Sequence, residues 1–251
     1  MVAESVCAAK VFVESVLCFA LRKKREKMKP ITWSYSSLSL YKQCPKKYYH
    51  LKVVKDVKEP LGEALVFGNV IHKIAEEYVG MGKPIPAEHA SIEPALKALK
   101  EMPGEKLCEN RLGLTVDLEP CGFFDKAVWW RGVADLIILQ GETALTIDYK
   151  TGKKSQYADL KQLEILSLAM FKHFPKIKRV KAGLLFLYAN DFIKTAYTAD
   201  KQSDLWVDWV SDVGQLEASV KSDVWNPKPN FTCRGWCPVT SCVHNQGARN
   251  G

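Results

Sequence analysis

The stretch "LTIDYKTGK", residues 145–153, sets an acid, an aromatic and a lysine in succession at Asp148, Tyr149 and Lys150. In a strand, residues two apart share a face, so Asp148 and Lys150 point one way and Ile147 and Tyr149 the other. A second acid, Asp135, interrupts the apolar strand "RGVADLIIL", and the tight connection "QGE" folds the two strands into a hairpin that carries Asp135 near Asp148. Two carboxylates buried side by side repel each other and lose hydration unless a cation neutralises them. Oxygen ligands with one imidazole suit Mg2+ or Mn2+. His72 and Glu76, four apart on one helix, can complete such a shell. A metal held by His72, Asp135 and Asp148 can polarise a phosphodiester and acidify a water, with Lys150 holding that water or neutralising the phosphate. Singly, each residue has a plainer reading: an exposed ion pair, a strand-end acid, a satisfied helix histidine. Only the combination points to hydrolysis.

The elements that must position these residues follow from hydrophobic spacing. Ser36 or Ser37 is expected to cap a helix through "LSLYKQCPKKYYH". In "FGNVIHKIAEEYV" the residues Phe67, Val70, Ile71, Ile74 and Tyr78 make one stripe of a helix that also bears His72. "SIEPALKALKEM" reads as a helix ended by Pro103-Gly104. Three β-rich segments follow from Leu107 to Lys150. Then comes a helix with Leu160, Leu163, Leu166, Met170 and Phe174 on one face, the strand "VKAGLLFLYAN", and a helix from about Asp204 to Trp225. Helix, three strands, helix, strand implies an α/β fold: a mixed β-sheet flanked by helices, in αβββαβ order, around a strand-helix-strand crossover. Trp129 and Trp130 are expected to be packing residues. Glu109 on the first strand has two readings, assistance to the metal and a structural role, and the structural one is the expectation.

The 251 residues carry a formal net charge of +8, in keeping with a polyanionic partner. The basic aromatic run Lys46, Lys47, Tyr48 and Tyr49 could contact DNA through phosphates and base stacking. "TGKK" lacks the glycine-rich lead-in of a phosphate loop, and no Walker-type motif is present, so any unwinding must come from a helicase or recombination-protein partner. The apolar segment near the start contains Glu4, Lys10 and Glu14 and has its basic cluster after the apolar run. It therefore reads as neither an export signal nor a membrane span. Residues 1–27 are expected to be an extension, or to precede a start at Met28, with residues 28–251 as one domain.

Of the eight cysteines, Cys233, Cys237 and Cys242 crowd into "CRGWCPVTSC", spaced C-x3-C-x4-C. Three thiolates make an incomplete site, and Cys44 is the best fourth ligand, with His244 an alternative if the ion is Zn2+. Such a site would tie the segment 226–251 to the N-terminal helix. Cys7, Cys18, Cys108 and Cys121 read as ordinary thiols.

Together, "GNVIH", "GVADLIIL", "IDYKTGK" and the helix carrying Gln162 in "KQLEIL" resemble the RecB-like branch of the PD-(D/E)xK nuclease superfamily, from about Tyr35 to Cys242. The resemblance implies a restriction-endonuclease-like core. It also implies metal-binding and catalytic roles for His72, Asp135, Asp148 and Lys150, the Tyr149 carbonyl as a further metal ligand, and Gln162 as part of the site. Leu166 stands where a tyrosine is often found in that branch. The chain is also similar to small stand-alone RecB-like exonucleases of tailed bacteriophages, which implies a DNA exonuclease acting in the cytoplasm of an infected host. Relatives in the branch place one early and three late cysteines around a [4Fe-4S] cluster, which implies that group at Cys44, Cys233, Cys237 and Cys242. The competing class is a non-catalytic nucleic-acid-binding module that uses the acids only structurally, and RNA is the competing substrate.

Overall fold

The computed structural model describes residues 31–59, 62–152, 159–189 and 191–247. The expected extension, residues 1–27, lies outside them, as do Lys153 and Lys154 of "TGKK".

Helix α1 spans Tyr35–Gln43, capped by Ser34 rather than by Ser36 or Ser37. Ser37 serves as the reciprocal member of the capping box, its Oγ accepting the Ser34 N–H at 2.9 Å. The single helix expected through "YKQCPKKYY" breaks at Cys44, which is extended at φ −164°, ψ 110°. Pro45 explains the break, because its ring disfavours helical backbone at the residue before it. Pro45 then opens α2, Pro45–Tyr48, which continues as a π-helical turn over Tyr49–Val54.

Helix α3, Glu63–Met81, buries Ile71, Ala75, Tyr78 and Val79. Phe67 and Val70, expected on that stripe, are exposed, Phe67 resting on His89 and on Tyr188, itself exposed. Helix α4 is Glu93–Glu101. The strands are β1 Glu105–Leu114, β2 Pro120–Cys121, β3 Trp130–Gln140 and β4 Thr143–Lys150, then, after α5 (Lys161–His173), β5 Arg179–Phe186 and β6 Asp191–Thr198. Helix α6 runs Gln202–Ser222.

The sheet order is β2-β1-β3-β4-β5-β6. Neighbours are antiparallel except β4 and β5, which are parallel and joined through α5 as the crossover expectation requires. The β3-β4 hairpin turns at Gly141, whose φ of +60° suits glycine. Helices α5 and α6 cover one face together with Trp33, Trp129, Trp130, Trp206 and Trp209; α3 and α4 cover the other with Leu136, Ile138, Ile147 and Tyr149. Helix α5 is buried continuously from Leu163 to Phe171, not along one stripe, because it lies between the sheet and α6.

In β3 the alternation of faces slips by one residue. Trp130 and Ala134 pack towards α5, Leu136 towards α3, and Ile137 towards α5 again. Strand β1 slips at the matching place, with Leu107, Leu112 and Leu114 all on the α5 side. Glu109 there has φ +48°, a left-handed conformation that is strained for a glutamate. Pairing runs Cys108↔Leu136 and Asn110↔Ala134, which sets Glu109 opposite Asp135.

Candidate active site at the break in the sheet

The slip gathers the polar residues. The β3-β4 ladder stops at Leu136↔Ile147, one step short of Asp135 and Asp148. Beyond it the strands are bridged by a side chain: Asp135 Oδ2 accepts the Tyr149 N–H at 2.7 Å. Asp135 and Asp148 are both buried in the middle of the sheet.

Helix α3 brings His72 to this opening. Its Nε2 lies 3.0 Å from the Tyr149 carbonyl and its Nδ1 3.3 Å from Asp135 Oδ2. A carbonyl can only accept, so Nε2 carries a proton, and Nδ1 faces a carboxylate. The hydrogen bond to Asp135 therefore raises the His72 pKa, against the opposing effect of burial. From the other face, α5 supplies Gln162, whose Nε2 donates to Asp148 Oδ1 at 2.7 Å. Lys150 Nζ lies 2.6 Å from Asp148 Oδ2. Burial, and then the Asp135 charge, push the Asp148 carboxyl up to about 6 although Lys150 and His72 pull the other way. Glu109 is raised for the same two reasons. The whole opening draws positive charge.

Among the described residues, His72, Glu109 and Asp135 form the set whose ligand atoms all lie within 4.8 Å of one another. The expected trio was His72, Asp135 and Asp148. Asp148 lies beside the set with its oxygens turned to Lys150 and Gln162, and Glu109 takes the third place. Glu76 instead pairs with Lys73 at 2.8 Å. The signal that could have found Glu109 is in "LCENRLGL", where three polar residues in a row, Glu109, Asn110 and Arg111, break a strand's alternation. As expected from the strand phase, Ile147 and Tyr149 face α3 while Asp148 and Lys150 share the other side.

The basic aromatic run differs from an exposed DNA-facing surface. Lys47 is buried and paired with Glu59 at 2.7 Å. Tyr48 stacks on Trp225 with centroids 5.9 Å apart and is 5% exposed, and Tyr49 packs on the same indole at 5.4 Å. The turn at Pro45 rolls these rings inward, so Tyr48 is a core residue rather than a platform for a base. Lys46 and Lys47 line a second cavity, around which Cys44, Cys233, Cys237 and Cys242 converge, with His244 at its wall. All four thiols are free. Burial, followed by the neighbouring Cys233 and Cys44, raises the Cys237 thiol.

A sequence model described as the PD-(D/E)XK nuclease superfamily matches residues 32–242. The chain belongs to the PD-(D/E)XK nuclease superfamily. The spacing (D/E)-x-K occurs in this chain at Asp148-Tyr149-Lys150, and Asp135 follows Ala134 where the superfamily's name carries proline. The mixed six-stranded sheet between helices is the restriction-endonuclease-like fold of this superfamily. Two solved structures are similar to it at 12% identity. One is a protein named SSO0001, with TM-score 0.40, covering 93% of this chain and 97% of that one. The other is a candidate exonuclease from Eubacterium rectale, with TM-score 0.48, covering 87% and 89%. No curated protein sequence matches the chain. Among the described residues no helix is long and apolar enough to cross a membrane.

Proposed function

We propose that this superfamily member hydrolyses DNA phosphodiester bonds with Mg2+ or Mn2+ held by His72, Glu109 and Asp135, with Asp148 and the Tyr149 carbonyl as further ligands. The observation that carries this reading is the convergence of three ligand atoms within 4.8 Å at the place where β1 and β3 break their alternation together. The donor set fits a hard cation: the Glu109 and Asp148 carboxyls are pushed towards protonation by burial and by the Asp135 charge, and the His72 imidazole is drawn towards its charged form. When bound, such an ion supplies charge neutralisation and lowers the pKa of a water. Lys150, held beside Asp148, orients the attacking water or neutralises the phosphate. Gln162 fixes the Asp148 carboxylate by its hydrogen bond, a positioning role.

The finer reading is an exonuclease working in the cytoplasm on DNA ends, in recombination, replication or degradation of phage or host DNA, alongside a helicase or recombination protein. Residues 28–251 act as one nuclease unit in this reading, with 1–27 as an extension to it. At the second cavity, Cys44, Cys233, Cys237 and Cys242 would hold a [4Fe-4S] cluster, supported by the meeting of four thiols from opposite ends of the chain. His244 on the same wall is what favours Zn2+ as the alternative.

The test is a time course on labelled DNA, end-blocked and free-ended, with Mg2+ or Mn2+. Free-ended DNA is shortened by the wild type, whereas Asp148→Ala and Lys150→Ala bind it without cutting. Full activity in either variant defeats the assignment, and a wild type that shifts DNA without shortening it is a binding module. A brown anaerobic preparation supports the cluster; a colourless one containing zinc replaces it.

A further inference from the structure

On the α3 side, the helix layer covers Leu136, Ile138, Ile147 and Tyr149 but not the part of the sheet beyond the slip. There Leu112, Leu114, Trp130 and Ala134 face α5, so the intervening residues Arg111, Gly113, Arg131 and Val133 face the opposite way. Arg111 is exposed and stands two residues along β1 from Glu109, roughly 7 Å by strand rise. Arg131 pairs with Gly113, which makes it the diagonal neighbour of Arg111, about 7–8 Å away.

Both guanidiniums are braced by aromatic rings. Arg111 lies 5.8 Å from the Phe123 centroid and 5.7 Å from that of Phe124; Arg131 lies 5.1 Å from Phe123. The two rings meet edge to face at 4.9 Å. Gly113 makes the arrangement possible, since a Cβ there would stand 2.9 Å from the Cys121 carbonyl and 3.0 Å from that of Gly122. Only glycine lets the segment leading to Phe123 cross so close to β1. Among the described residues neither arginine is ion-paired, so their N–H donors are unspent, and a planar guanidinium held against a ring has lost little entropy left to lose on binding an oxyanion. Phe124, 73% exposed, leaves the brace open to solvent.

We propose that Arg111 and Arg131, propped by Phe123 and Phe124, clamp the sugar-phosphate backbone of the DNA strand that runs into the acid cluster. Two cations at diagonal positions of adjacent strands, the strands that carry Glu109 and Asp135, hold a strand in register with those acids. The clamp rests on the nuclease reading for its purpose and deepens it by fixing where the substrate lies. It also relocates DNA contact from Lys47 and Tyr48, which packing has taken up, to the open half of the sheet.

Binding of a fluorescein-labelled duplex with a single-stranded end, followed by anisotropy in EDTA over a range of salt, tests it, with cleavage measured on the same preparations. The Arg111→Ala/Arg131→Ala double variant is expected to bind on the order of tenfold more weakly and to lower the slope of log K against log[salt] by about 2. Its cleavage defect appears in KM. The Arg111→Lys/Arg131→Lys pair keeps the slope while losing part of the affinity, and Phe124→Ala loses less, about two- to threefold, with the slope intact. Unchanged affinity and slope in the double alanine variant overturn the clamp whether or not the wild type cuts. Arginine-dependent binding by a wild type that does not cut sustains the clamp and removes the nuclease reading instead. Should the alanine pair fail to fold, Arg111→Gln/Arg131→Gln is judged by the same criteria.

Discussion

The acid cluster and the cysteine cavity both join residues far apart in sequence, yet they are built in different ways. His72, Glu109, Asp135 and Asp148 stand on one long helix and three central strands, where backbone pairing fixes them to within a side chain's reach. The thiols of Cys233, Cys237 and Cys242 stand on short turns whose neighbours Phe231, Trp236 and Val243 are exposed, with Val239 as a buried anchor. A site on strands can be assembled before its ion arrives, and its like charges then cost stability. A site on turns has little apolar burial of its own to hold it, so a cofactor bound there would contribute to folding.

That contrast can be broken in several ways. The largest effect is expected at the cysteines. Cys44→Ser or Cys237→Ser should lower Tm by ten degrees or more, several kcal/mol in a domain of this size, with cleavage following the folded fraction. A variant that keeps the wild-type melting curve would make the thiols incidental. Next, Glu109→Gln should reduce cleavage about 10–100-fold by weakening the metal, while Glu76→Gln changes it less than about threefold; steady-state rates at several Mn2+ concentrations distinguish them. Equal losses would restore the helix pair His72 and Glu76 as the ligand set. Gln162→Ala should cost about tenfold in kcat with KM little changed, since it orients Asp148 without touching DNA.

The smallest effect has the opposite sign. Asp148 is held near 6 against an ordinary 3.8, so the folded state binds its proton more tightly than the unfolded chain does. Stability from this group is full at low pH and is lost as pH rises through about 6. Asp148→Asn should therefore match or slightly exceed the wild-type Tm in metal-free buffer at pH 7, while calorimetry at pH 4 should show no such gain.

How much of this was legible beforehand depends on what each residue touches. The hairpin, the crossover and the shared side of Asp148 and Lys150 follow from local alternation and one glycine turn, which tertiary packing leaves alone. For Glu109 the polar run in β1 marks the break, but its place opposite Asp135 comes from a slip that β1 and β3 make together, which a single strand's pattern cannot display. Tyr48 and Lys47 read as DNA contacts because the burial of Tyr48 depends on Trp225, far away in the chain, and Lys47 is taken up by Glu59. Phe67 and Val70 continue a helical stripe past the point where the sheet provides anything to pack on. Strand β6 has no such signal, since "DFIKTAYT" is an edge strand with no fully buried residue to mark it.

The central claim is that Glu109, Asp135 and His72 form a divalent-metal centre. Thermal unfolding of the wild type, Glu109→Gln and Asp135→Asn with increasing Mn2+ at pH 6 and pH 8 tests it most directly. The wild-type Tm should rise with Mn2+, more at pH 8 where protons no longer compete for His72 and Asp148, and both variants should lose most of the rise. A rise of equal size in all three proteins would place the metal elsewhere and contradict the account.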